Sequence, residues 1–137
     1  MKDFTVALIF FAITVPAVAR DKPPVIVVTK STIVAFFPPV TQSDLKNGDT
    51  NESLADFQYY AGKVRPQLQQ NGIEFQELYA YAFRFRIGSK VKTFRPGKTQ
   101  VGYYLVAPGK KLRIVYGVMT DDDLLQIAKE YFGMTSK

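Results

Sequence analysis

The sequence predicts an α/β domain: a mixed sheet of about four to five strands, flanked by helices and ending in a β-hairpin followed by a C-terminal helix. Three observations carry that expectation. Residues 25–28 and STIVAFF at 31–37 are β-branched, apolar runs of strand length. Leu54, Phe57, Ala61, Val64 and Leu68 return at helical spacing along one stripe. VGYYLVA at 101–107 and the alternating run 112–118 stand on either side of Pro108-Gly109, with a helix-start signal at Thr120 just beyond.

Taken in order, the run 25–28 opens the domain, and 31–37 has the composition of a strand buried on both faces. Pro38-Pro39 ends it, because neither proline can donate to a ladder. A polar stretch follows at 40–51, part of a loop expected to run from Pro38 to about Glu52, longer than the usual loop of about 4–6 residues. Ser53-Leu54-Ala55-Asp56 has the spacing of a capping box, with Asp in place of the usual Glu, so the long helix is expected to begin there. Pro66 is expected to kink that helix or end its regular part, and Gly72 suits the position after it.

IEFQEL at 73–78 alternates as a strand. Within 79–87, Phe83, Phe85 and Ile87 alternate with Arg84 and Arg86, which favours a strand over a short helix. Residues 88–100 are polar and basic, and are expected to be irregular. Ala107-Pro108-Gly109-Lys110 fits a type II turn, in which proline fixes the first central residue and glycine accepts the positive φ of the second. Leu112, Ile114, Tyr116 and Val118 then share a face of the returning arm. Thr120 caps the last helix, and Asp121, Asp122 and Asp123 fill its first turn, where carboxylates complement the dipole. Leu124, Ile127, Ala128 and Tyr131 form its inner stripe, and Gly133 follows its end.

Residues 1–19, MKDFTVALIFFAITVPAVA, read as a cleavable secretory signal. Lys2 supplies the basic start, diluted by Asp3. Phe4 to Val15 is apolar except for Thr5 and Thr14, Pro16 breaks the run, and Ala17-Val18-Ala19 gives the small-x-small pattern of a cleavage site. A membrane-spanning helix needs roughly 20 apolar residues. The segment 4–19 is only sixteen residues long, two of them threonine, with a proline near its end. The expectation is an exported chain, periplasmic or secreted, with Arg20 as its new amino terminus and 20–137 as one domain.

Cleavage would leave 118 residues of the 137, enough for a sizeable core rich in aromatics. The chain has no cysteine and no histidine. Disulfide exchange, thiol peroxidase chemistry and haem attachment through cysteine are therefore impossible, as are Cys- or His-based zinc and copper sites and any Ser-His-Asp or Cys-His catalytic unit. Ser-Lys pairs, carboxylate dyads and hard-metal carboxylate sites remain open chemically, but no spacing points to one, and no cofactor is expected. Asp121-Asp122-Asp123 is explained by helix-start electrostatics.

The order strand, helix, strand, variable connection, hairpin, helix is similar to the thioredoxin-like fold over roughly residues 25–132. VGYYLVAPGKKLRIVYGVMTDDDLLQIAKEYF resembles the hairpin-plus-helix close of that family, and STIVAFF resembles its central strand, which leads into the active-site helix. The place of the family's paired cysteines falls near Thr41-Gln42-Ser43-Asp44, which has none, and the place of its cis-proline near Gln100 or Val101, where there is no proline. The resemblance thus implies the scaffold without the redox reaction, in the role of a protein-binding or envelope-assembly accessory.

Two surfaces are candidates for a partner. Ligands of open α/β sheets bind beyond the carboxyl ends of the strands. That places Thr41, Gln42, Ser43, Asp44, Asn47 and Asp49 in a polar recognition loop after Phe37, or in a solvated insertion with no such role. An EF-hand reading of this loop fails, since setting Gly48 at the sixth position puts Leu45 third and Leu54 twelfth. The second surface is basic. The formal charge is +6, and no acid occurs between Glu77 and Asp121, a stretch holding Arg84, Arg86, Lys90, Lys92, Arg95 and Lys98 and, further on, Lys110, Lys111 and Arg113. These charges serve solubility or an anionic partner. For an exported protein, lipid head groups, acidic polysaccharide or an acidic protein fit better than nucleic acid, which is not expected. Asn51-Glu52-Ser53 matches the glycosylation acceptor pattern. One member of each adjacent tyrosine pair on a strand is expected in the core, the other being available for binding.

Overall fold

The structure, a computed structural model, describes residues 23–97 and 100–134. The signal segment at 1–19 and Lys98 lie outside the described residues. The elements are β1 (Val25–Val27), β2 (Thr32–Phe37), α1 (Gln42–Leu45), α2 (Gly48–Gln70), β3 (Glu74–Tyr79), β4 (Phe83–Ile87), β5 (Lys90–Phe94), β6 (Gly102–Val106), β7 (Arg113–Tyr116) and α3 (Asp121–Phe132).

The strands form two mixed sheets, not one of four to five strands: a four-stranded sheet ordered β3-β2-β6-β7 and a three-stranded sheet ordered β1-β4-β5. In the larger sheet β2 runs parallel to β3, the two joined through α2, and antiparallel to β6, which forms a hairpin with β7. In the smaller sheet β1 is parallel to β4, and β4 and β5 form a hairpin. The stretch expected to be irregular therefore contains β5. Its apolar residues are few, but each position has a partner on β4, from Phe83 opposite Phe94 to Ile87 opposite Lys90.

All six residues of β2 are buried, as expected of a strand covered on both sides. Strand alternation divides them. Ile33, Ala35 and Phe37 join Phe57, Ala61, Val64 and Leu68 of α2 and Leu124, Ala128 and Tyr131 of α3 in one core. Val34 and Phe36 join Ile26, Val28, Phe83 and Phe85 in a second core between the sheets. Tyr103 and Tyr104 take opposite sides in the same way. Neither is left for binding: both are 1% exposed, because the smaller sheet covers the face that would otherwise meet solvent. The helical stripe read from the sequence packs as expected.

Helix α2 starts earlier than the Ser53 motif implied. Asn47 is its N-cap, and the Asn47 side-chain oxygen accepts from the Asp49 and Thr50 backbone N–H groups at 3.0 and 3.2 Å. Ser53 to Asp56 falls inside the helix, so the supposed loop from Pro38 to Glu52 is largely helical. Nor does Pro66 end the helix, which continues to Gln70. Phe57, Ala61 and Val64 before the proline and Leu68 after it are all fully buried, which fixes both halves against the sheet. Gly109, at φ 80°, makes the expected turn, with the Lys110 N–H donating to the Ala107 carbonyl at 3.1 Å. Gly102 is set by close approach. A β-carbon there would lie 2.3 Å from the Val115 carbonyl oxygen and 3.1 Å from the Phe36 ring.

Candidate functional site

Two clefts lie at opposite ends of the four-stranded sheet. β2 leaves the sheet at Phe37, and Val101 stands just before β6 at that same end. Phe37, Pro38, Pro39, Val40 and Val101 make an apolar wall there, and Asp44, Asp49, Thr50 and Ser53 face it from α1 and α2. The volume of this open cleft is about 270 Å³.

The six polar residues singled out after Phe37 are divided among different tasks. Thr41 caps α1 in a reciprocal box: its backbone N–H donates to the Asp44 carboxylate at 3.0 Å, and the Asp44 N–H donates to the Thr41 hydroxyl at 3.1 Å. Those bonds from Thr41 hold the Asp44 carboxyl below the usual carboxylate range. Asn47 caps α2, and Gln42 and Ser43 lie exposed on α1 without reaching the cleft. Only Asp44 and Asp49 line it. The sequence reading missed Thr50 and Ser53, which the early start of α2 brings in, and Val101, which β6 brings in from far along the chain. Asn51 sits in the first turn of α2 and donates its side-chain amide to the Leu45 carbonyl.

Behind this wall the Phe37 ring packs on Phe57 at 5.1 Å and on Tyr79 at 6.2 Å. The Tyr79 hydroxyl donates to Glu77 Oε1 and accepts from Gln58 Nε2, both at 3.1 Å, while Arg65 pairs with Glu77 Oε2 at 2.5 Å. This chain of bonds clamps β3 to α2. Burial raises the Tyr79 phenol above its ordinary range.

The basic stretch does not form one face. Arg84 and Arg86 point away from the sheet interface on the outer side of the three-stranded sheet, in rows with Val25 and Thr93, and with Val27 and Val91. The Arg84 guanidinium is occupied there, donating twice to the Pro23 carbonyl at 3.1 and 3.0 Å. Arg95 is exposed beyond the end of β5. Lys92 and Lys90, paired with Phe85 and Ile87, share the inner side of that sheet. With Lys110 and Lys111 of the β6–β7 turn they surround the second cleft, of about 560 Å³. Its floor is Phe85, Ile87, Val106 and Leu112, and no acid lines it.

Among the described residues no cluster of three or more carboxylates is placed to hold a metal ion, and no helix is long and apolar enough to cross a membrane. Comparison with known proteins finds no family model, curated protein or solved structure that matches this chain.

Proposed function

We propose that the chain is an exported, non-redox domain of thioredoxin-like type that acts as a protein-binding or envelope-assembly accessory, taking a segment of its partner into the cleft beyond Phe37. The observation that carries this reading is the position of that cleft. It lies at the carboxyl end of β2, where the sheet changes from a parallel neighbour on one side to an antiparallel neighbour on the other. The order β2-α2-β3, a connection, β6-β7, α3 supports the scaffold reading, and the lack of cysteine leaves recognition as the use of the site. The apolar wall beside Asp44 and Asp49 suits an extended segment that pairs apolar side chains with lysine or arginine. Export is supported by the signal-like pattern at 1–19.

The test places a photocrosslinking residue at Val40 in the full chain, expressed in its host, with a second probe at Thr93 as control. A discrete crosslinked protein from Val40, absent from Thr93 and reduced at least fivefold by Asp49→Lys, is expected. Equal crosslinking from both positions would refute the reading, as would none from either. Sequencing the amino terminus of the exported form should return Arg20 first.

A further inference from the structure

We propose that the second cleft is a binding site for a small amphiphilic anion: a carboxylate, sulfate or phosphate head carried on a hydrocarbon body. It lies at the other end of β2 from the Phe37 cleft and does not depend on the function proposed for that cleft.

The pairing register builds it. In an antiparallel hairpin, directly opposed residues share a face, so Lys90 and Lys92 stand on the same side as Ile87 and Phe85. That side faces the larger sheet. There the chain leaves β6 at Val106, turns through Pro108-Gly109, and returns through Lys110, Lys111 and Leu112. Two successive hairpins, one in each sheet, thus bring four lysines around four apolar side chains.

The lysines are not equivalent. The Lys110 ammonium donates to the Tyr131 carbonyl in the last turn of α3 and lies 4.9 Å from the Tyr131 ring centre. The Tyr131 hydroxyl donates to the Lys111 carbonyl at 2.7 Å. Lys110 is therefore a fastening, and the backbone of Lys111 is held while its side chain bonds to no described residue. Lys90, Lys92 and Lys111 form no ion pair with any described residue. Three ammonium groups remain around one opening with no acid among its lining residues.

The combination selects the ligand class. A bare inorganic anion meets only solvated lysines, an interaction of little net value. A neutral hydrocarbon gains burial against Ile87 and Leu112 but leaves the charges uncompensated. An anion with an apolar body does both at once. The volume falls within the range of about 300–1,000 Å³ that accommodates small organic ligands. Such a ligand could be a free amphiphile or a lipid that presents its head from a bilayer.

Calorimetric titration of the full chain with sub-micellar decanoate, decanol and acetate tests the proposal. Decanoate is expected to bind one-to-one, at least tenfold more tightly than decanol, with affinity falling as salt is raised, and acetate to show no saturable binding. The variant Lys90→Glu/Lys111→Glu should keep the circular dichroism spectrum and lose decanoate affinity at least tenfold. Arg84→Glu should leave decanoate affinity within twofold. Equal binding of decanoate and decanol, or decanoate binding unchanged in the double variant, would overturn the proposal. Co-sedimentation with phosphatidylglycerol vesicles alongside decanoate binding supports a lipid source. Decanoate binding without co-sedimentation supports a free amphiphile. Vesicle binding with no decanoate binding overturns the cleft in favour of general surface charge.

Discussion

The two sides of the four-stranded sheet are covered by different materials. On one side α2 and α3 lay down long stripes in which aliphatic and aromatic residues mix: Ala61, Val64, Leu68, Leu124 and Ala128 around Phe57 and Tyr103. On the other, three short strands supply Phe83, Phe85 and Phe94, which pack edge to face or tilted with one another and with Phe36 and Tyr104 of the larger sheet, ring centres 4.8–6.0 Å apart, in an aromatic-dominated layer. A helix brings its own hydrogen bonds and needs only an apolar stripe to dock. Strands of three to six residues need partners for both backbone and side chains, and here large rings compensate for short length. The difference suggests that the two cores depend on each other through β2 and β6, which contribute to both.

The most forceful way to break that comparison is to empty each side in turn. Phe57→Ala and Phe83→Ala both remove fully buried rings, and each should cost about 3–5 kcal/mol in denaturant unfolding. Both variants should still unfold in one transition. A biphasic transition in Phe83→Ala alone would mean that the three-stranded sheet is an appendage and not half of a shared core. Gly102→Ala acts at the seam between the sides. Its new methyl group would meet the Val115 carbonyl oxygen, and a loss of about 1–3 kcal/mol is expected in the same measurement. A neutral outcome would show that β7 can move away from β6 at little cost.

A smaller effect sharpens the helical side. Thr120 caps α3 by accepting from the Asp123 N–H at 3.2 Å, so Thr120→Ala should cost about 1 kcal/mol. The pH dependence is gentler still and has opposite signs at its two ends. Asp44 has a folded pKa below its ordinary 3.8, so its contribution is complete above that value and declines as pH falls through the folded pKa. Burial raises Tyr103, Tyr104 and Tyr131, so the unfolded chain releases phenolic protons first, from about pH 10 upward. Stability should be level between these limits, lower at pH 3 and lower at pH 11. Denaturant midpoints measured across that range check both signs.

How much of this was legible in the sequence follows the same division. The helical side could be read directly, because Leu54 to Leu68 and Leu124 to Tyr131 repeat at helical spacing and the caps at Thr120 and Gly133 are local signals. The strand side could be read only in part. β2 and β6 announce themselves by composition, but KVKTF in β5 has two lysines among five residues, and its place in a sheet is set by partners on β4 that propensity does not weigh. The burial of both Tyr103 and Tyr104, where one of the pair is expected in the core, has the same reason: the cover of Tyr104 comes from another part of the chain. In the clefts, Asp44 and Asp49 were readable as polar residues beyond a strand end. The meeting of Lys90 with Lys111 was not, since nothing local connects two hairpins. Conversely, Arg84 looked like part of one basic surface only because its neighbours in sequence are basic. In the fold it is turned away from Lys92 by one step of strand alternation.

The parallel pairing of β1 with β4 has a consequence for how the chain is made. Val25 bonds in register with Arg84, and the Val28 N–H reaches the Arg86 carbonyl at 2.9 Å, so β1 finds its partner only after β2, α1, α2 and β3 have followed. Until then Ile26 and Val28 lack Phe83 and Phe85, their β4 neighbours in the core between the sheets. A chain made amino terminus first would hold this short apolar segment without its strand partner until β4 arrives, and the Arg84 grip on Pro23 would then fasten it.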